Sequence, residues 1–185
     1  MMKTMKILIL LVLVLSTQPK VRSQDNSALM VQIESSIAKQ EPRWKPLRRS
    51  QTRKGDYRGM DWKSGKSYVS IFVAFYKSSE DAANHFKGLP GFFDGDGLIM
   101  TVLPTTIPNL GDENYTWEDR YDKRFKGVDF RKGKIVVHVN APSIELAQRF
   151  ASHIAEVITA NTSVTGRANS REQNWGQASD HAIHQ

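Results

Sequence analysis

The chain has 185 residues, no cysteine, and 26 basic against 19 acidic side chains, a formal net charge of +7. That length suits one domain with tails and excludes a large multidomain enzyme. The missing cysteine excludes disulfides, thiolate nucleophiles, cysteine-ligated zinc and a lipid-anchored N-terminal cysteine.

Residues 1–23 read as a signal peptide. Lys3 and Lys6 precede an unbroken apolar run, Ile7 to Leu15, and the small Val21 and Ser23 suit a processing site that cuts after Ser23. A helix of that run reaches about 14 Å, well short of a hydrocarbon core of about 30 Å, so it reads as an export signal and not a span. The expected location is secreted or periplasmic. Without this segment the balance falls to 22 basic against 19 acidic, and the excess is uneven: residues 39–66 hold ten Lys or Arg against Glu41, Asp56 and Asp61.

Residues 24–40 are expected as an N-terminal helix, capped by Asp25, Asn26 or Ser27 and striped by Leu29, Ile33 and Ile37. Pro42 and Pro46 stop it, and residues 41–66 read as a basic linker or loop carrying Trp44, Tyr57 and Trp62. Residues 67–160 form the expected α+β core. Tyr68 to Tyr76 is apolar on both faces, hence a central strand. Ser78 or Ser79 caps a short helix over Glu80 to Lys87, the stretch GLPGFFDGDG is turn-rich, and Leu98 to Leu103 is a strand.

Tyr115 to Tyr121 predicts another strand, and Gly127 to Arg131 and Lys134 to Asn140 predict a hairpin turning at Lys132-Gly133. Pro142 and Ser143 open a last helix, Ile144 to Ala160, with Ala147, Phe150, Ala151, Ile154 and Ile158 on one face and His153 on the other. Residues 161–185 turn polar and read as a disordered tail. The expected fold is α+β: a single antiparallel, meander-like sheet with the N-terminal and C-terminal helices packed on one side.

The chemical motifs are fragments. Gly65-Lys66-Ser67 resembles the end of a phosphate loop, but Met60 stands where the first glycine must be and a strand follows, so it reads as a hairpin turn. Ser36 to Lys39 fits S-x-x-K and Lys63-Ser64-Gly65 echoes K-T-G, yet the middle S-D-N element is missing. Asp94-Gly95-Asp96-Gly97 places Leu98 and Thr105 where a calcium loop needs oxygen ligands. His138 faces away from the Ile135 side, His85 lies in the short helix, and His181 and His184 lie in the tail without a third ligand. Glu118 and Asp119 are adjacent on a strand and point to opposite faces, which spoils them as paired carboxylates. No catalytic residue, metal centre or cofactor is therefore assigned. Asn114-Tyr115-Thr116 and Asn161-Thr162-Ser163 match the glycosylation sequon.

The candidate binding surface is basic and aromatic: Arg43, Trp44, Lys45, Arg48, Arg49, Arg53 and Lys54. Cations with an interleaved tryptophan suit an anionic membrane surface or an acidic glycan. Nucleic acid fits poorly outside the cytoplasm, and no protein partner is indicated. The same residues also suit a solvated edge or linker kept soluble by its charges.

GDENYTW, GVDFRKGKIVVHV and APSIELAQRFASHIAEVI, with SIFVAFYKSSEDAANHF upstream, resemble small exported bacterial α+β domains of unassigned function. The shared features are a GDE turn, an F-R-K-G hairpin and an alanine-rich C-terminal helix. The resemblance implies an extracytoplasmic, sensor-like or ligand-binding domain and brings no catalytic residues with it; the lipid-anchoring cysteine of such proteins is missing. The leading expectation is an exported, non-enzymatic domain that binds a ligand or partner. A small extracytoplasmic hydrolase and an envelope-associated structural protein are the alternatives.

Overall fold

The computed structural model describes residues 22–52, 56–92, 100–103 and 106–180. The expected signal segment up to Val21, the Asp94–Gly97 turn, Arg53 and Lys54 of the basic surface, and the tail histidines lie outside these residues. The order is α1 (Arg22–Gln40), β1 (Lys45–Gln51), β2 (Tyr57–Ser64), β3 (Ser67–Phe75), α2 (Ser79–Phe92), β4 (Met100–Leu103), β5 (Glu113–Asp119), β6 (Lys126–Lys132), β7 (Ile135–Ala141) and α3 (Ile144–Asp180). The strands form one seven-stranded sheet in the order β1-β2-β3-β7-β6-β5-β4. Every pairing is antiparallel, so two meanders join through the central β3–β7 pair. This is the expected α+β class, with α1 and α3 on one face. Among the described residues no helix is long and apolar enough to cross a membrane.

Period-two alternation sorts the strands between two faces. Val69, Ile71 and Val73 of β3, Val137 and Val139 of β7, and Val128 and Phe130 of β6 are fully buried against Ile33 and Ile37 of α1 and Phe150, Ile154 and Ile158 of α3. The intervening residues form the opposite face. There Ala82, Phe86 and Leu89 of α2 pack on Ala74 of β3 and Val136 of β7, covering only one end. The asymmetry leaves room for a pocket on that second face.

Residues 41–66, expected as a loop, instead form the β1–β2 hairpin. The alternation was present in Met60 and Trp62, which are buried, while Asp61 and Lys63 project to the second face. β1 has no such signal: all its residues are exposed, and it is a strand only because β2 supplies backbone partners. Its pairing shifts register between Pro46 and Arg48, at Leu47, which is 58% exposed. Proline, a bulge and cations are the usual means of blunting a sheet edge.

Two other elements run longer than expected. The turn-rich reading of Gly88 to Phe92 gives way to the last residues of α2, and 93–99 lie outside the described residues. The expected tail is helical as far as Asp180. Residues 161–180 are polar and include Gly166 and Gly176, but they contain no proline, the residue that most strongly breaks a helix.

The GDE turn is a charged clip. Gly111 has φ 70°, and a Cβ there would collide with the Arg131 carbonyl, which accepts the Asp112 N–H at 2.7 Å. Asp112 Oδ2 in turn accepts the Gly133 N–H at 2.8 Å and Arg131 Nη1 at 3.0 Å, while Glu113 accepts Arg131 Nη2 at 2.8 Å. Gly133 turns the β6–β7 hairpin at φ 57°, as expected. Asn114 is similarly occupied: its Nδ2 donates to the Ile107 and Leu110 carbonyls and its Oδ1 accepts the Ile107 N–H. The amide nitrogen of that sequon is thus committed within the fold.

The helix-facing core should dominate stability. Phe150→Ala, which also removes an edge-to-face contact with Trp44 at 5.3 Å, is expected to cost about 3–5 kcal/mol. Leu47→Ser at the exposed bulge should stay within about 0.5 kcal/mol. Urea unfolding followed by far-UV circular dichroism checks both.

Candidate functional site

The second face is organised in cross-strand rows. Tyr115 of β5 lies opposite Asp129 of β6, Asp129 opposite His138 of β7, His138 opposite Phe72 of β3, and Phe72 opposite Gly59 of β2. The next row runs Trp117, Gly127, Asn140, Ser70, Asp61 and Arg48. Residues scattered through the sequence therefore become side-by-side neighbours about 5 Å apart.

Asp129 is the centre of the first row and is only 1% exposed. Its Oδ2 accepts the Tyr115 hydroxyl at 2.9 Å and lies 3.1 Å from His138 Nδ1; its Oδ1 accepts the Trp117 indole N–H at 3.1 Å. A buried carboxylate needs such donors, because an unpaired one would be far too costly to bury. Burial, reinforced by the Asp129 charge and the hydrogen bond to it, pushes the Tyr115 hydroxyl strongly upward. Burial also raises Tyr57, and it pushes Tyr76 up to about 12, with Tyr57 and Asp56 adding to the effect.

Gly127 makes the arrangement possible. A Cβ at that position would overlap the Trp117 indole, so the ring lies flat across the β6 backbone with its N–H directed at Asp129. Phe72 leans on Gly59 in the same way and stacks on Tyr57 at 5.7 Å. His85 of α2 closes from above, against Tyr76 at 5.2 Å. Burial, followed by the positive charge His138 can carry, lowers the His85 pKa, so at neutral pH this imidazole is uncharged.

These residues enclose a pocket of about 530 Å³ lined by Tyr57, Phe72, His85, Leu89, Met100, Trp117, Phe125, Asp129, His138 and Asn140. Its walls are aromatic and aliphatic; its lining side chains also carry one carboxylate, two imidazoles, one amide, the Tyr57 hydroxyl and the Trp117 indole N–H. Small-molecule sites have this size and composition. Phe125, 53% exposed, forms part of the mouth. Among the described lining residues there is no serine, threonine, lysine or arginine. The Asp129–His138 pair could orient a general base, but no side-chain nucleophile accompanies it there. Among the described residues no three His, Asp or Glu side chains form a metal-holding group.

The expected basic surface is not a single patch. Trp44 is 7% exposed and belongs to the core, so it offers no contact face; its side chain packs on Phe150. Arg48 and Arg49 are neighbours on a strand and leave it on opposite sides. Arg48 pairs with Asp61 at 3.2 Å on the pocket face, and Arg49 with Glu34 of α1 at 2.6 Å. Arg43 and Lys45 are exposed. His153, expected on the outer face of α3, is instead largely covered, with Nε2 3.4 Å from Glu41. The pocket residues were missed because their grouping depends on strand register. The one local signal is an aspartate between Val128 and Phe130, and in a strand that reads KGVDFRK it fits ordinary polar–apolar alternation.

No protein-family model matches the sequence, and no curated protein matches it. Among solved structures, the fold is similar to a GTP-binding regulator from Thermotoga maritima, at 15% identity over 68% of this chain and 85% of that one, with TM-score 0.42. It is also similar to the extracellular domain of PknH from Mycobacterium tuberculosis, at 12% identity over 76% of this chain and 97% of that one, with TM-score 0.49. At these values neither likeness informs the chemistry of the pocket.

Two measurements probe the network. Asp129→Ala leaves three buried donors without their acceptor and should cost about 3 kcal/mol in urea unfolding, and Gly127→Ala about 2 kcal/mol by displacing the indole. The pH dependence has a definite sign. An unfolded tyrosine ionises near pH 10 while native Tyr115 stays protonated. Its contribution to stability is therefore full below about pH 10 and is lost progressively as pH rises toward the raised native value. Unfolding at pH 8 and pH 11 should show this decline, and Tyr115→Phe should flatten it.

Proposed function

We propose that this chain is an exported, sensor-like ligand-binding domain, and that the pocket on the second sheet face holds a small, largely apolar ligand. The observation that carries the reading is the 530 Å³ pocket itself, with aromatic walls around a fixed polar row. Apolar walls supply affinity through burial, and a few placed polar groups supply orientation. His138 and Asn140 are the polar groups that meet the ligand; Tyr115 and Trp117 are occupied in holding Asp129. A binding role suits this lining better than hydrolysis, since the dyad would have to recruit water as its nucleophile.

The N-terminal cations and apolar run support export. Intact-mass analysis of the secreted product should then give a chain that begins at Gln24; a cytosolic, unprocessed chain would contradict it. Contact with an anionic surface is a separate proposal, supported among the described residues by exposed charge at Arg43, Lys45, Arg48 and Arg49, of which the last two are paired with Asp61 and Glu34. It predicts salt-reversible retention on anionic liposomes that Arg43→Ser with Lys45→Ser abolishes.

The pocket itself is tested with the uncharged fluorophore N-phenyl-1-naphthylamine. Saturable one-to-one binding, weakened at least tenfold by Asn140→Trp with an unchanged circular dichroism spectrum, is the expected result. Absence of saturable binding, or equal binding by the filled variant, would overturn the reading.

A further inference from the structure

We propose that the ligand is an organic cation, an ammonium group carried on an apolar or aromatic body. This rests on the pocket being a ligand site and adds the sign of the ligand's charge. The geometry of the lining argues for it. Asp129 is the one acidic or permanently charged side chain among the described lining residues, and no lysine or arginine accompanies it. The two histidines do not reverse the sign near neutral pH. His138 sits on Asp129 at 3.1 Å, so even its protonated form brings that pair only to zero. His85, on the exposed side of α2, has its pKa lowered by partial desolvation and by the nearby His138, which favours the neutral imidazole at neutral pH.

The aromatic groups act in the same direction. The indole of Trp117 lies over Gly127, where a Cβ would otherwise stand, and is part of the pocket lining. Tyr57 and Phe72 stack as a second aromatic wall, and Phe125 stands at the mouth. The faces of such rings are electron-rich and attract a desolvated cation. A carboxylate ligand would meet those faces and a buried aspartate together, and would be repelled by both.

Oδ1 of Asp129 accepts only the indole N–H among the described hydrogen bonds, while Oδ2 serves both Tyr115 and His138. A carboxylate has about four acceptor positions. The negative potential at the pocket floor is thus only partly spent on the protein's own donors.

The test compares three probes of nearly one shape: phenyltrimethylammonium, its uncharged carbon analogue tert-butylbenzene, and the anion 4-tert-butylbenzoate. Each competes against bound N-phenyl-1-naphthylamine at pH 7.5. The cation should displace the fluorophore at a concentration at least tenfold below that of tert-butylbenzene, with the benzoate weakest. Asp129→Asn, which keeps the shape and removes the charge, should shrink the preference to within about twofold. If that variant proves unfolded by circular dichroism, Phe125→Leu gives the second reading and should lose at least threefold of the cation preference. Equal or better displacement by tert-butylbenzene or the benzoate overturns the cation assignment while leaving the pocket intact. Failure of the fluorophore to bind at all removes the pocket reading beneath it.

Discussion

One buried carboxylate sets the terms for the open face of the sheet. Asp129 lies in the middle of a strand and is buried, and it is tolerated because Tyr115, Trp117 and His138 all direct polar hydrogens or ring nitrogen at it. Those partners come from β5 and β7, so the network couples the three neighbouring strands β5, β6 and β7. It also dictates where the rings go. Trp117 must lie flat to reach the carboxylate, and only a glycine beneath it permits that.

The two faces of the sheet are covered differently. The face under α1 and α3 is packed with branched aliphatics and Phe150, and is insulated from water. The other face carries one shorter helix, α2, which packs over Ala74 and Val136 and lends His85 and Leu89 to the pocket that His138 also lines. Incomplete cover on a rigid sheet gives a concave site whose floor is held by backbone pairing and not by loops. Under the proposed ligand-binding reading, side chains so placed would lose little freedom when a ligand docks.

What was readable in the sequence follows from what each element depends on. The β3 run, the β6–β7 hairpin with Gly133 and the stripe of α3 are local patterns, and they stand where the periodicity puts them. β1 depends on its partner strand, since Lys45 to Gln51 buries nothing, so the sequence pattern alone reads as a loop there. Trp44 looked like surface because cations flank it; the chain turn at Glu41, whose carbonyl accepts the Trp44 N–H at 2.9 Å, carries it inward. The polar continuation of α3 lacks an apolar stripe and gave no helical signal. The pocket was the least legible part. Tyr115, Asp129 and His138 become one group only through two strand registers, and single-sequence patterns do not specify register across strands that far apart.

The claim beneath all of this is that Asp129 holds the Trp117 indole N–H inside the sheet. Nitrogen-15 NMR of the four tryptophan indoles measures it directly through hydrogen exchange, with Trp117→Phe supplying the assignment. The structure predicts one Trp117 signal whose exchange is slowed by at least a hundredfold relative to a solvent-exposed indole, and whose protection is lost in Asp129→Ala, which removes the acceptor. A Trp117 N–H that exchanges at the free-solvent rate in the native protein would contradict the account.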